Sequence, residues 1–177
     1  MGFGAPLRTW FHSCVSPQDL VTAAFLEDRD DVYRYLLIVG LQPQDAQEAT
    51  QEAFLRLYVA IRKGDQIRSL RAWVFRVAHH LALKSLARGR NWQPLDPNLE
   101  LTVGDETATQ EAAMLHKERM LQLRSALRSL SPQQRQCLHL RAEGLRYHEI
   151  AKVIGVGVST VGEFLSRAMA KLRKAVQ

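Results

Sequence analysis

The chain has 177 residues, 46% of them apolar, and its 24 Lys and Arg against 18 Asp and Glu give a net charge of +6 and an isoelectric point near 9.7. That length holds one domain or two small ones, and no run approaches the roughly 20 apolar residues needed to span a bilayer, so membrane insertion is not expected. The basic balance favours an anionic partner, nucleic acid above all. Cys14 and Cys137 are too few and too far apart for a disulfide framework. With no signal-peptide apolar segment behind Arg8, they point to a reducing, cytoplasmic location.

No long window shows strand alternation, so the predicted class is all-α. Ser16-Pro17-Gln18-Asp19 carries a capping-box pattern that starts a helix towards Arg29. A second helix is expected from about Asp31, holding Val32, Tyr35, Leu36 and Val39 and stopping at Gly40. Pro43 then opens what reads as the longest uninterrupted helix of this half, ending before Gly64. At about 100° per residue, Ala46, Thr50, Ala53, Phe54, Leu57 and Ile61 gather on one flank of it, with Asp45, Glu48 and Glu52 roughly opposite. Two readings of that acid stripe stand side by side. Acids near a helix N-terminus complement the macrodipole, and Glu52 with Arg56 makes an ordinary surface pair. The flanking Gln44, Gln47 and Gln51 equally suit docking to a rigid basic partner.

The next helix, about Ser69 to Ala87, has apolar residues on more than one face. Leu70, Val74, Val77 and Leu81 form one stripe, with Trp73 beside it as a core residue, while Phe75, Ala82 and Leu86 lie well around the helix. The second stripe either packs on a neighbouring helix or joins Arg71, Arg76, His79, His80, Lys84 and Arg88 in a platform for unstacked bases. From Arg68 to Arg90 there is no acid. From Asn91 to Gln110 the pattern inverts, with Asp96, Glu100, Asp105 and Glu106, no cation, and Pro94, Pro97 and Gly104 breaking any helix. The chain therefore divides into a helical domain over 16–90, an acidic linker over 91–110 and a second helical domain over 111–177, opened by a helix bearing Met114, Leu115, Leu121, Leu127 and Leu130.

In that last third, Ser131 caps a helix with Pro132 at its first position and Gln134 reaching back, and Glu143-Gly144 closes it. A short helix from Tyr147 to Ile154 follows, then the turn Gly155-Val156-Gly157. From Val158 a longer helix carries Val161, Leu165, Ala168 and Leu172 at spacings of three and four. Its other side holds Ser159, Thr160, Glu163, Arg167, Lys171, Arg173 and Lys174, the polar and mostly cationic surface that a recognition helix presents to a major groove. Cys137 reads as a small core hydrophobe.

Signals for an enzyme are poor. His79 and His80 are adjacent and so diverge by about 100° on a helix, Cys137 with His139 lacks zinc-ligand spacing, and no phosphate-binding glycine loop occurs. No metal or cofactor is expected.

With these parts in place the chain resembles the extracytoplasmic-function group of bacterial RNA polymerase sigma factors, over about Asp31 to Lys174. Asp45-Ala46-Gln47-Glu48-Ala49-Thr50-Gln51-Glu52-Ala53-Phe54-Leu55-Arg56-Leu57-Tyr58, with Arg71-Ala72-Trp73-Val74-Phe75-Arg76-Val77-Ala78, looks like the second domain of that family. Leu130-Ser131-Pro132-Gln133-Gln134-Arg135, Glu143-Gly144-Leu145-Arg146-Tyr147-His148-Glu149-Ile150-Ala151 and Ser159-Thr160-Val161 look like its fourth, and the short linker leaves no room for a third. The resemblance implies a non-catalytic specificity subunit that brings core polymerase to promoters and helps open them. Asp45, Glu48, Gln51 and Glu52 would meet the clamp coiled coil of the polymerase's largest subunit, and the flap is a further implied contact. Arg71, Arg76, His79, His80, Lys84 and Arg88 would hold the melted minus-ten element. Ser159, Thr160, Glu163, Phe164, Arg167 and Lys171 would read the minus-thirty-five duplex. The linker would thread towards the RNA channel as a phosphate mimic, and an anti-sigma partner is implied by the resemblance alone.

Three places in the chain depart from the family pattern. Gly162-Glu163-Phe164 stands where a basic-polar-basic triplet is usual, so duplex reading is expected to be weaker or differently specified. His80 and Lys84 replace an asparagine and an acid, so minus-ten base preference does not carry over. Arg146 stands where a serine or threonine cap is usual. The competing reading is a free-standing helix-turn-helix regulator independent of polymerase, against which the acid stripe argues.

Overall fold

A computed structural model describes residues 16–89 and 110–176, with the side chains of 110–118 and 175–176 left out of the description. Cys14, Arg90, the expected acidic linker over 91–110 except for the backbone of Gln110, which already begins a helix, and the apolar Met114 and Leu115 side chains therefore lie outside the described residues. What remains is helical, in the order α1 (Pro17–Val39), α2 (Pro43–Arg62), α3 (Leu70–Ala87), α4 (Gln110–Arg128), α5 (Pro132–Ala142), α6 (Tyr147–Ile154) and α7 (Val158–Val176).

Helix α1 begins where Ser16 Oγ accepts the Asp19 N–H at 3.1 Å and ends at Gly40, whose φ of 113° is a left-handed turn that favours glycine. It runs through 23 residues without a break, where the sequence suggests two helices. The run Asp28-Arg29-Asp30-Asp31 contains neither Gly nor Pro, and aspartate inside a helix is disfavoured by less than about 1 kcal/mol. Asp28 and Asp31, three apart, share a face and are drawn to one partner, Arg71. With 23 residues against 20, α1 rather than α2 is also the longest helix of this half.

Helix α2 buries Ala46, Thr50, Ala53, Phe54, Leu57 and Ala60, the flank that its periodicity indicates, with Ile61 only half-buried. Thr50 keeps its hydroxyl satisfied by donating to the Ala46 carbonyl at 2.8 Å. Phe54 meets Phe25 of α1 edge to face at 5.1 Å. Helix α3 starts at Ser69, whose side chain accepts the Ala72 N–H, and buries Val74, Phe75, Ala78, His79 and Ala82. It packs on α1 and α2 on one side and on α6 on the other, which is why one apolar stripe does not suffice for it.

In the C-terminal half, Ser131 Oγ accepts the Gln134 N–H at 3.2 Å and Gln134 Oε1 accepts the Ser131 N–H at 3.1 Å. This closes the expected capping box. A Ser131→Ala protein should lose about 1 kcal/mol of stability; a urea midpoint equal to that of the parent would make this cap immaterial. Helix α6 begins better satisfied than Arg146 alone suggests, because Glu149 reaches back to accept the Arg146 N–H at 2.8 Å. Gly155, at φ +79°, closes it in the left-handed region, and the helix axis turns by 101° from α6 into α7. Two helices joined at that angle by a glycine turn form a helix-turn-helix.

The two halves are not merely tethered. Helix α1 packs on α5 and α3 on α6, and one buried cluster runs from Tyr35, Leu36, Phe75 and Ala82 into Cys137, Leu140, Ile150 and Val161. Cys137 is fully buried in it, which pushes its thiol up to about 11.

Candidate nucleic-acid interface

Helix α7 anchors through Val161, Leu165 and Ala168, all buried. Opposite them Ser159, Glu163, Ser166, Arg167 and Ala170 are exposed, and the Arg167 guanidinium donates to Glu163 across one turn at 3.2 Å. Other residues expected on this surface are engaged elsewhere. Phe164 packs against the core and Thr160 is half-buried. Lys171 Nζ donates to the Ser129 carbonyl at 2.8 Å, satisfying an acceptor left over just beyond the end of α4. Ser159, Glu163 and Arg167 thus form the outward face, and the exposed Lys174 continues it.

On α3, His80 and Lys84 are exposed and Arg76 is half-buried, and Arg88, the C-cap residue, is exposed. Their spacing of four puts them in a slowly turning row. Beside this row a surface groove of about 510 Å³ opens between α2 and α3, lined by the apolar Leu55, Val59, Trp73 and Val77 and by charged and polar groups of both signs, Arg56, Lys63 and His80 with Glu52 and Asp65. Trp73, read from sequence as core, does pack against the core cluster, and being only half-buried it also lines this groove.

Arg71 and His79 are turned away from that surface. The Arg71 guanidinium lies at the junction of the halves, donating to Asp28, to Asp31 at 2.7 Å, to Glu143 Oε2 at 2.6 Å and to the Glu143 carbonyl at 3.0 Å. Arg34 supplies a further cation to Asp31. His79, 3% exposed, is hydrogen-bonded through Nδ1 to the Tyr35 hydroxyl at 2.8 Å, and the Tyr35 ring in turn stacks on His139 of α5 at 5.9 Å. Burial holds His79 down at about 4, with His80 adding to the effect, and raises Tyr35. Burial also lowers His139, with Arg34 and Arg71 reinforcing it against Asp31. Glu143 is raised by burial and then by Asp31, against the pull of Arg71 and Arg34. The expectation that Arg71 and His79 stand on a nucleic-acid platform gives way to this seam, because three carboxylates and a tyrosine hydroxyl claim them first.

The outward side of α2 carries Glu48 and Gln51 exposed, with Asp45 and Glu52 half-buried, and Glu52 accepts from Arg56 at 2.7 Å. The sequence reading missed that this same flank continues into Leu55 and Val59, 61% and 48% exposed. The signal was present, since Leu55 lies two turns beyond Glu48 and both leucine and valine fall on the polar side of the helix. Among the described residues no group of three or more His, Cys, Asp or Glu could hold a metal, and no single helix is long and apolar enough to cross a membrane.

The described helices thus form a three-helix unit with an acidic, partly apolar outer helix, packed on a helix-turn-helix unit whose last helix turns a polar face to solvent. Residues 18–92 match the family described as Sigma-70 region 2 and residues 120–172 that described as Sigma-70, region 4. The RNA polymerase sigma-H factor of Pseudomonas aeruginosa is 34% identical over 147 residues, which cover 76% of this chain and 74% of that protein. The ECF RNA polymerase sigma factor SigE of Mycolicibacterium smegmatis is 29% identical over 148 residues, covering 81% of this chain and 56% of that relative. Two solved structures share the fold. The sigma factor RpoE with the anti-sigma factor NepR from Bartonella quintana has a TM-score of 0.58 at 20% identity, covering 88% of this chain and 95% of that one. CnrH with the cytosolic domain of CnrY has a TM-score of 0.57 at 23% identity, covering 89% and 87%. The chain belongs to the extracytoplasmic-function group of the sigma-70 family. It is a sigma factor, which binds core RNA polymerase and directs it to promoters in DNA-templated initiation; a free-standing regulator is not favoured.

Proposed function

We propose that two functional units, 16–90 and 111–177, joined by the acidic stretch 91–110, divide the work of initiation. The outward side of α2, with Asp45, Glu48, Gln51 and Glu52, docks on the clamp coiled coil of the polymerase's largest subunit, and Leu55 and Val59 add apolar contact beside the acids. Arg76, His80 and Lys84 of α3, with Arg88 at its C-cap, follow the opened minus-ten strand, and the α3 side of the groove, Trp73 and Val77, meets an unstacked base while Leu55 and Val59 on the α2 side stay with the clamp. Helix α7 enters the minus-thirty-five major groove, where Arg167 contributes charge and Ser159 and Glu163 face the bases. Arg71 and His79 are left out of the minus-ten surface, since both are committed to the seam. The protein acts without catalysis of its own and works in the cytoplasm beside the polymerase. An anti-sigma factor is its expected regulatory partner, in line with the structural neighbour RpoE, which was solved in complex with the anti-sigma factor NepR.

The observation that carries this reading is the division of α2 into a core flank of Ala46, Ala53, Phe54 and Leu57 and an outward flank of acid and glutamine. Exchanging outward groups leaves such a core intact. Asp45→Lys with Glu48→Lys is therefore expected to abolish co-migration with core polymerase and the promoter-dependent transcript, at unchanged helicity. A double variant that binds core as tightly as the parent would remove α2 from the interface.

A further inference from the structure

The face that α7 turns to solvent has an unusual sign at its centre. Ser159, Glu163, Ser166 and Ala170 recur at spacings of three and four and are exposed, while Val161, Leu165 and Ala168 are buried. At about 100° per residue Glu163 lies nearly diametrically opposite that buried line, so it projects furthest into any groove the helix enters. Apart from its ion-pair partner Arg167, the exposed residues along this line are short serines and an alanine, and its side chain is 63% exposed. The preceding residue is Gly162, where a Cβ would meet nothing nearer than the Tyr147 ring at 3.9 Å. No bulk on that flank screens Glu163 from a duplex.

An ionised carboxylate only accepts hydrogen bonds. The major-groove edges of guanine and thymine offer acceptors to it, O6 and N7 or O4, and repel it. Two donors remain, the amino groups of cytosine and adenine. Beside the adenine amino group stands the N7 acceptor, whose lone pair opposes the second carboxylate oxygen. Beside the cytosine amino group there is only a C–H edge. Arg167, one turn on and 3.2 Å away, holds the carboxylate outward and offsets its repulsion from the phosphates.

We infer that Glu163 is a specificity-determining residue that selects a cytosine within the upstream duplex element, an inference that rests on α7 entering the major groove. The test uses the full chain with core polymerase, on a genomic promoter that it fires, with the upstream element randomised and the transcripts sequenced. The parent protein is expected to enrich cytosine at one position by on the order of ten-fold. At that same position Glu163→Gln is expected to move the preference to adenine and Glu163→Arg to guanine, following the bidentate pairings of those side chains. Retention of one base preference by the parent and both variants, or a parent without cytosine preference anywhere in the element, overturns the inference. A parent that yields no promoter-dependent transcript on any genomic fragment overturns the polymerase reading beneath it, which is a different failure from an unmoved preference.

Discussion

An Arg71→Ala protein is expected to unfold about 3 kcal/mol more easily than its parent, with the two halves separating first. The guanidinium answers Asp28, Asp31 and Glu143 at once and also donates to the Glu143 carbonyl. Asp28 is 5% exposed at its side chain, so truncating its partner leaves a carboxylate that water reaches poorly. Breaking a buried pair by removing one member costs about 3–5 kcal/mol, and the lower figure applies because Arg71 is itself 27% exposed. A cycle with Asp28→Asn separates the pair from its surroundings: the double variant should recover part of the loss. The readouts are the urea midpoint and the radius of gyration in solution, which should grow as the seam opens. A single variant within about 1 kcal/mol of the parent, with unchanged dimensions, would show that the cluster does not hold the halves together.

The second large effect is an acid transition. His79 is buried, hydrogen-bonded to Tyr35 and held at about 4, against 6.5 for an ordinary histidine. Between those values the unfolded chain binds the proton and the folded one does not. Stability is therefore complete above about pH 6.5 and falls as the pH drops towards 4. At about 1.4 kcal/mol per pH unit the loss by pH 4 is on the order of 3 kcal/mol. His139, also lowered, acts in the same direction, while Glu143, raised, opposes it. Chemical denaturation at stepped pH measures the slope. His79→Asn, which offers an acceptor near Nδ1 without a titrating ring, should flatten it, and a parent profile level from pH 6.5 to 4 would refute the account.

The parts of the fold legible in the sequence are those fixed by near neighbours. Ser131 with Gln134, Gly144 and Gly155 each act within four residues, so caps and turns of α5 and α6 fall where the pattern sets them. The inward line of α7 is local in the same sense. The seam was not legible, because Arg71 finds Asp28 at 43 residues' distance and Glu143 at 72, and no periodicity links positions so far apart. Its trace was indirect. The second apolar stripe of α3 needed a neighbour, and α6 is that neighbour. The break expected before Asp31 failed because a run of aspartates resembles a loop until a distant arginine draws two of them to one side. On the candidate surfaces, exposure sorted residues that composition could not. Lys171 and Phe164 look like groove contacts by type, yet one answers the Ser129 carbonyl and the other packs against the core.

The make-up of the junction between the halves governs how it comes apart. Where leucines alone would have to be stripped into water, the carboxylates and guanidinium gathered around Arg71 exchange one set of partners for hydration shells of comparable worth. Parting the halves thus exposes charge along with the apolar cluster that runs from Tyr35 and Phe75 into Leu140 and Ile150, so water enters at the charged part of the joint first. Added salt, which screens the attraction while leaving apolar contact in place, should loosen this joint well before it touches either bundle.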